Sequence, residues 1–449
     1  MPTLRFRTAQ LFFLSCTLGL MSSLPCSAAN VEVDCSNQNG PFPSITAALN
    51  TLDLLGPHVI TVRGVCHENV TIAQRDRLTI QSFPGHVATI ENAASPAGIT
   101  LLVAGSHNIT LSGLVVQGGA IALYVTAASS AVTLQNSVVQ NSLGDGLDMD
   151  MQSEMLMQNS AIRNNSATGL FVADASHLTM ATYPTQRIRI SGNGFGGNGN
   201  GNSGLAIDGS LVQLNFGVIT IDGNAGPGIS MDGGRLQFYG GTHDAPGVIE
   251  NNNVGLTMTD AASATLWNAY VIRNNGSVGI SATGSSSVTF YPGADDSGQE
   301  NVSISGHSFA GVDISQSSSA TLYGAQIFRN GSSNNGGGGI TVSGSSLTIG
   351  AGASVSNNTG AGILMSVKGD LTMFDTTVSN NTEQGVLETN LSGGGFYQPL
   401  TFSHNGGGSL VCDDFSVAFG DAASISGIDC KNITSASKQR PSFKIPKAH

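Results

Sequence analysis

Three aspartates stand close together in the stretch Gly144-Asp145-Gly146-Leu147-Asp148-Met149-Asp150. Leu147 and Met149 alternate with Asp148 and Asp150, so an extended strand sends both carboxyls to the face opposite the apolar pair. Neighbouring carboxylates can hold a cation, or can split their proton affinities so that one serves as acid and the other as base. Arg163 closes the same repeat and could bind a uronate or act as the base of an elimination. Asp208 and Asp232 occupy equivalent positions further along. The plainer alternative is a solvated strand whose outward positions include Asp, where charge also deters strand edges from pairing.

A second set of residues is aromatic: Tyr239, Trp267, Tyr291, Tyr323, Phe374 and Tyr397. Each follows an apolar residue that alternation turns inward, so the rings are expected to face out. An exposed aromatic stripe suits stacking on sugar rings. Alternatively the rings pack beneath the insertions, three of which begin at Tyr183, Tyr239 and Tyr291. No Ser/His/Asp set, phosphate loop or His/Cys metal cluster is present, and His307 in Gly306-His307-Ser308 reads as a replacement for a turn Asn. The Gly/Asn-rich stretch 192–204 lacks the Asp ligands of a calcium roll and reads as a loop. No metal or other cofactor is expected; the one cation that the sequence could place is calcium, on Asp145, Asp148 and Asp150.

These residues are positioned by a repeat. Gly255–Val278 contains three short alternating runs separated by turns and ends on Arg-Asn-Asn-Gly. Copies begin at Ala120, Gly146, Gly169, Gly204, Gly228, Gly255, Gly279, Gly311, Gly339, Gly362 and Gly385, with a basic spacing of 23 or 24 residues. The longer intervals carry insertions at Tyr183–Ser203, Tyr239–Gly247, Tyr291–Glu300 and Gly331–Gly338. A unit this short cannot bury its own apolar face and must stack on its neighbours. The turn before each start is rich in Asn, which tolerates left-handed backbone and can hydrogen-bond to its copy on the next coil.

Composition agrees. The chain has 449 residues, only 10% charged and 40% apolar, with 59 Gly, which favours strands and tight turns over helices. A net charge of −12 argues against nucleic acid as a partner. Residues 1–29 read as a secretion signal, with Arg5 and Arg7 before the apolar run Leu11–Leu24, and no other run is long enough to span a membrane. Beyond that segment Cys35, Cys66, Cys412 and Cys430 fall as one pair at each end, which predicts Cys35–Cys66 and Cys412–Cys430 disulfides rather than zinc. Ser44 followed by Ile45, Ala48, Leu49, Leu52 and Leu55 predicts an amphipathic helix capping the first coil. The expected divisions are a signal (1–29), a cap helix with the first coils (30–119), regular repeats (120–410), a C-terminal cap (411–434) and a basic tail (435–449).

Three strands per coil, a period near 23, Asn at one turn and Gly opening a strand describe an all-β parallel β-helix of about a dozen coils. The pattern resembles the right-handed β-helix, or pectin-lyase-like, superfamily over about residues 40–430. The segment SITAALNTL…HVITVRGVCHENVTI (44–72) is similar to the opening of pectinesterase-like members. The superfamily includes lyases, hydrolases, esterases, epimerases and non-catalytic adhesins, and its enzymes place acids or a calcium-binding Asp cluster on an outward strand face. The Gly-His-Gly and Arg-x-Lys motifs of polygalacturonases, the Arg-Pro-Trp of pectinesterases and the Asp-Pro-His-Asp of epimerases are missing. With the signal segment implying a secreted, periplasmic or cell-surface protein, the resemblance implies one that holds, and as a polysaccharide lyase or glycoside hydrolase would cleave, a polysaccharide or surface glycan. The alternative is a non-catalytic, adhesin-like β-helix.

Overall fold

The computed structural model describes residues 28–434 apart from 38–39, 93–96, 183–185, 197–201, 216, 243–244, 292–301 and 333–336. Most of the expected signal, the tail 435–449 and much of the expected insertions lie outside the described residues. The described strands form two parallel sheets, one of 15 strands and one of 29, as successive coils give one strand to the first and two to the second. The solenoid has about 14 coils, which at about 4.8 Å per coil makes a rod of about 65 Å.

Register follows from the alternation. In the 15-stranded sheet Leu147 and Met149 pair with Leu170 and Val172, which pair in turn with Leu205 and Ile207. All six point into the core and are 0–1% exposed. A single-residue slip would turn every such pair to solvent, so the register is strongly specified. The coil start read at Ala120 falls two residues later: Leu123 pairs with Leu147 and Tyr124 with Asp148, which makes Ala122 the counterpart of Gly146.

The Asn turns form a continuous buried ladder. Asn165, Asn193, Asn224, Asn252 and Asn275 follow one another on successive coils, and each side-chain Oδ1 from Asn193 to Asn275 accepts from the preceding Asn. The residue before the ladder Asn often takes the left-handed conformation, as at Asn164, Asn251, Asn274, Asn357 and Asn380. His307 continues the ladder, accepting at Nδ1 from the Asn275 N–H and donating from Nε2 to the Ile272 carbonyl. It therefore does replace a turn Asn. Burial pushes its imidazole down to about 4, so it is neutral at physiological pH. Gly255 opens its strand because a Cβ there would lie 2.4 Å from the Gly279 carbonyl oxygen.

Both expected disulfides, Cys35–Cys66 and Cys412–Cys430, are formed. The expected capping helix is not: only the short segment Ile45–Leu49 is helical, with Ser44 accepting from the Ala47 N–H. Beyond it the Arg75 guanidinium donates to the carbonyls of Leu49, Leu52 and Asp53, satisfying the free end of the helix. Among the described residues no helix is long and apolar enough to cross a membrane.

Candidate functional site

The strand Asp145–Met149 lies between Ile121–Thr126 and Leu170–Val172. Register sets Tyr124 beside Asp148 on one coil and Phe171 beside it on the other. Asp148 thus emerges on the outward face between two aromatic residues about 4.8 Å away on either side. It is half-buried, and its Oδ1 has no hydrogen-bond partner. Burial chiefly, and then the negative charges of Asp145, Asp150 and Asp174, push its carboxyl up to about 7.

The other two aspartates are tethered. Asp145 Oδ1 accepts the Thr168 backbone N–H at 2.8 Å, which partly offsets the upward push of burial on its carboxyl. Asp150 accepts the Tyr124 hydroxyl through Oδ2, while its Oδ1 is shielded from water and unpartnered. Burial and the Asp150 contact raise the Tyr124 phenol above its ordinary value. The three carboxyls do not bring their oxygens within 4.8 Å of one another. Among the described residues the one group that does so is Cys35, Cys66 and Glu68, whose sulfurs are joined in a disulfide.

Arg163 is not part of this cluster. It sits in the other sheet, is exposed, and donates from Nε to Gln140 at 2.9 Å. Asp208 and Asp232 are register partners further along the same sheet, and both are exposed. Beside the acids, Ala127, Ala128, Met151, Gln152 and Asp174 line a shallow open depression at the next turn.

The six aromatics do line up along the rod, but packed against one another, stacked from Tyr239 to Tyr291 and tilted beyond it. Tyr239 and Trp267 stack at 4.5 Å between centroids with planes 5° apart, and Tyr291 follows Trp267 at 6.0 Å. Tyr323 lies 6.1 Å beyond Tyr291, and Phe374 6.1 Å beyond Tyr323. Gly350 takes the intervening slot, and the Phe374 ring reaches across it: a Cβ on Gly350 would lie 2.5 Å from that ring. Tyr323, Phe374 and Tyr397 are buried at 6–7% exposure, and Tyr239, Trp267 and Tyr291 are half-buried. The expectation that all six rings are exposed is therefore corrected. Stacking occupies the ring faces of Tyr239, Trp267 and Tyr291 that a sugar would need, and burial withdraws those of Tyr323, Phe374 and Tyr397.

The family model for the right-handed β-helix region matches residues 58–242, 97–294 and 272–418. The chain belongs to this family. No curated protein matches it in sequence. Among solved structures, a pectate lyase is 11% identical with a TM-score of 0.38, covering 71% of this chain and 78% of its own. An alginate lyase from a Paenibacillus species is 14% identical with a TM-score of 0.36, covering 71% and 99%. The A-module of a mannuronan C-5 epimerase from Azotobacter vinelandii is 12% identical with a TM-score of 0.35, covering 81% and 91%.

In this β-helix the residues that sequence reasoning missed are those that give Asp148 its setting. Tyr124 escaped notice because its coil begins on Ala122 rather than Gly, which displaced the reading by two residues. Phe171 stood in the correct outward column, two after Gly169, but only the register of paired coils shows it flanking Asp148. Asp174 lies in a turn with φ of 54°, outside any strand periodicity.

Proposed function

We propose that the outward face of the strands around Asp145, Asp148 and Asp150 receives a polysaccharide chain, and that Asp148 serves there as a proton donor. The observation that carries this reading is the position of Asp148. It stands between Tyr124 and Phe171 with one oxygen unpartnered and its carboxyl pushed to about 7, next to an Asp150 fixed by Tyr124. A protonated carboxyl so placed on an open strand face can give its proton to a departing glycosidic oxygen. The flanking aromatic side chains would contact sugar and keep water from Asp148. An open, elongated face suits a polymer rather than a small enclosed ligand. The two disulfides support an exported chain working outside the reducing cytosol.

The second reading is a non-catalytic surface β-helix. It is favoured by the same outward column beyond Asp148, which continues through Ala206, Ser230, Thr257 and Ser281 with no further acid until Asp313. A panel of polysaccharides assayed for both retention and new reducing or unsaturated ends separates the two. Product from the wild-type protein that disappears in Asp148→Asn supports catalysis. Retention without product in either protein supports holding alone, and neither retention nor product on any glycan overturns the proposal.

A further inference from the structure

At the C-terminal end, one core position carries a carboxyl. The inward column of the 15-stranded sheet is apolar from Met149 through Met365, and then presents Glu388 followed by Cys412. Glu388 is 0% exposed. Its Oε1 has no hydrogen-bond partner, and its Oε2 lies 3.6 Å from Cys412 Sγ. A disulfide sulfur has no proton to give, so in that contact the carboxylic O–H is the donor. Space for the carboxyl comes from Gly394, where a Cβ would lie 2.0 Å from Glu388 Oε1. The charged groups bearing on Glu388 are Asp370 and Asp413, both acidic. Burial first and these two charges second push it to about 8, so it holds its proton at neutrality.

The two disulfides differ in access. Cys35 and Cys66 are buried, whereas Cys412 and Cys430 are both half-buried. Besides Cys430, the segment is held by the two-residue strands Ile428–Asp429 and Ile433–Thr434, paired with Leu410–Val411 and Ala418–Phe419, by the Asn432 amide donating to the Asp414 and Ser416 carbonyls, and by an exposed Lys431–Asp414 ion pair. A carboxyl protonated at neutrality, fully buried and in contact with one sulfur of an accessible bond is a proton source for that sulfur as a leaving group.

We propose that Cys412–Cys430 is a dithiol-exchange site in which Glu388 donates the proton to departing Cys412, and that exchange there frees the terminal coil. A thiolate of an incoming dithiol attacks Cys430 Sγ, forming a mixed disulfide. The Cys412–Cys430 bond breaks, and Cys412 leaves with the electron pair and takes the Glu388 proton. The dithiol's second thiol, as thiolate, then attacks its own mixed-disulfide sulfur and closes a cyclic disulfide. Cys430 is released and protonated from solvent. The protein gains two thiols, the dithiol is oxidised, and Glu388, left as a carboxylate, is hydrated as the terminal coil lifts away and stays ionised at neutral pH.

The test is reduction of the full-length oxidised protein by dithiothreitol from pH 6 to 9. Alkylation and peptide mass spectrometry follow Cys412 and Cys430 separately from Cys35 and Cys66. Rates are divided by those of a small model disulfide, which cancels the reductant's own ionisation. The wild-type protein is expected to open Cys412–Cys430 first, at a corrected rate that is flat below pH 8 and declines above it. Glu388→Gln, which has nearly the same shape and no acidic proton, is expected to open at least about 10-fold more slowly with no such decline. Equal corrected rates in the two proteins at every pH would overturn the proposal. A measurement on the wild-type protein alone guards against misfolding of the variant. The carboxylic C=O infrared band of Glu388 at pH 7, assigned by isotope labelling, should disappear on selective reduction of Cys412–Cys430, and its persistence would also overturn the proposal.

Discussion

Replacing Asp148 by Asn should stabilise the protein at pH 8 and leave it unchanged at pH 3.5. The Asp148 carboxyl moves from an ordinary 3.8 to about 7 on folding, so the folded state binds this proton more tightly than the unfolded state. Stability from this group is therefore complete below about pH 3.8, declines as pH rises towards 7, and levels off above. Three pH units correspond to a ceiling of about 4 kcal/mol. Because the side chain is only half-buried, screening by solvent reduces the expected loss to about 1–2 kcal/mol. Asn is nearly isosteric with the protonated acid and cannot ionise, so the variant escapes that loss. Urea midpoints at pH 3.5, 6 and 8 measure the effect, read from the fluorescence of Trp267, the single tryptophan. Asp208→Asn, at an exposed position two coils along the same sheet, is the control. An Asp148→Asn protein no more stable than wild type at pH 8 would refute the reasoning, because Asp148 would then be solvated and free of its neighbours.

Three further outcomes follow from the architecture. Asn252→Ala removes the acceptor for the Asn224 N–H and Nδ2 and the donor to the Ile221 carbonyl, so it should cost about 2–4 kcal/mol and accelerate hydrogen exchange at the Asn224 amide; exposed Asn253→Ala should cost less than about 0.5 kcal/mol. Gly255→Ala forces a Cβ against the Gly279 carbonyl oxygen and should lower the urea midpoint markedly, whereas an unchanged midpoint would mean that the coils separate freely. His307 has its imidazole depressed from 6.5 to about 4, so the unfolded state takes the proton first and stability is lost as pH falls from 6.5 to 4; His307→Asn should abolish that part of the acid sensitivity, as measured by midpoints at pH 7 and 4.5.

The solenoid was legible because the features that build it are local and repeated. Alternation such as Leu147/Met149 and Leu256/Met258 marks inward positions, and each is confirmed by its copy on the next coil. The Asn turns and the two Cys pairs announce themselves in the same way. What failed to show was set by partners remote in sequence. The helix expected to reach Leu55 ends at Leu49, and its free carbonyl there is taken by Arg75, 26 residues away. Alternation correctly turned Tyr323, Phe374 and Tyr397 away from the core, yet it carries no information on what covers an outward ring, and these three are buried. Asp148 was legible as an outward acid. Its raised proton affinity was not, since that arises chiefly from burial between Tyr124 and Phe171 on neighbouring coils, and only then from the charges of Asp145, Asp150 and, in a turn, Asp174. Glu388 followed the inward pattern, but only the structure shows it beneath Cys412.

The central claim is that Asp148 holds a proton near neutrality on an otherwise open face. Carbon-13 labelling of aspartate side chains, with the Asp148 carboxyl resonance assigned by its loss in Asp148→Asn, allows this single group to be titrated in the folded wild-type protein. A midpoint near pH 7, falling when Asp145 is replaced by Asn, is the predicted result. A midpoint near pH 4 in the wild-type protein would contradict the account.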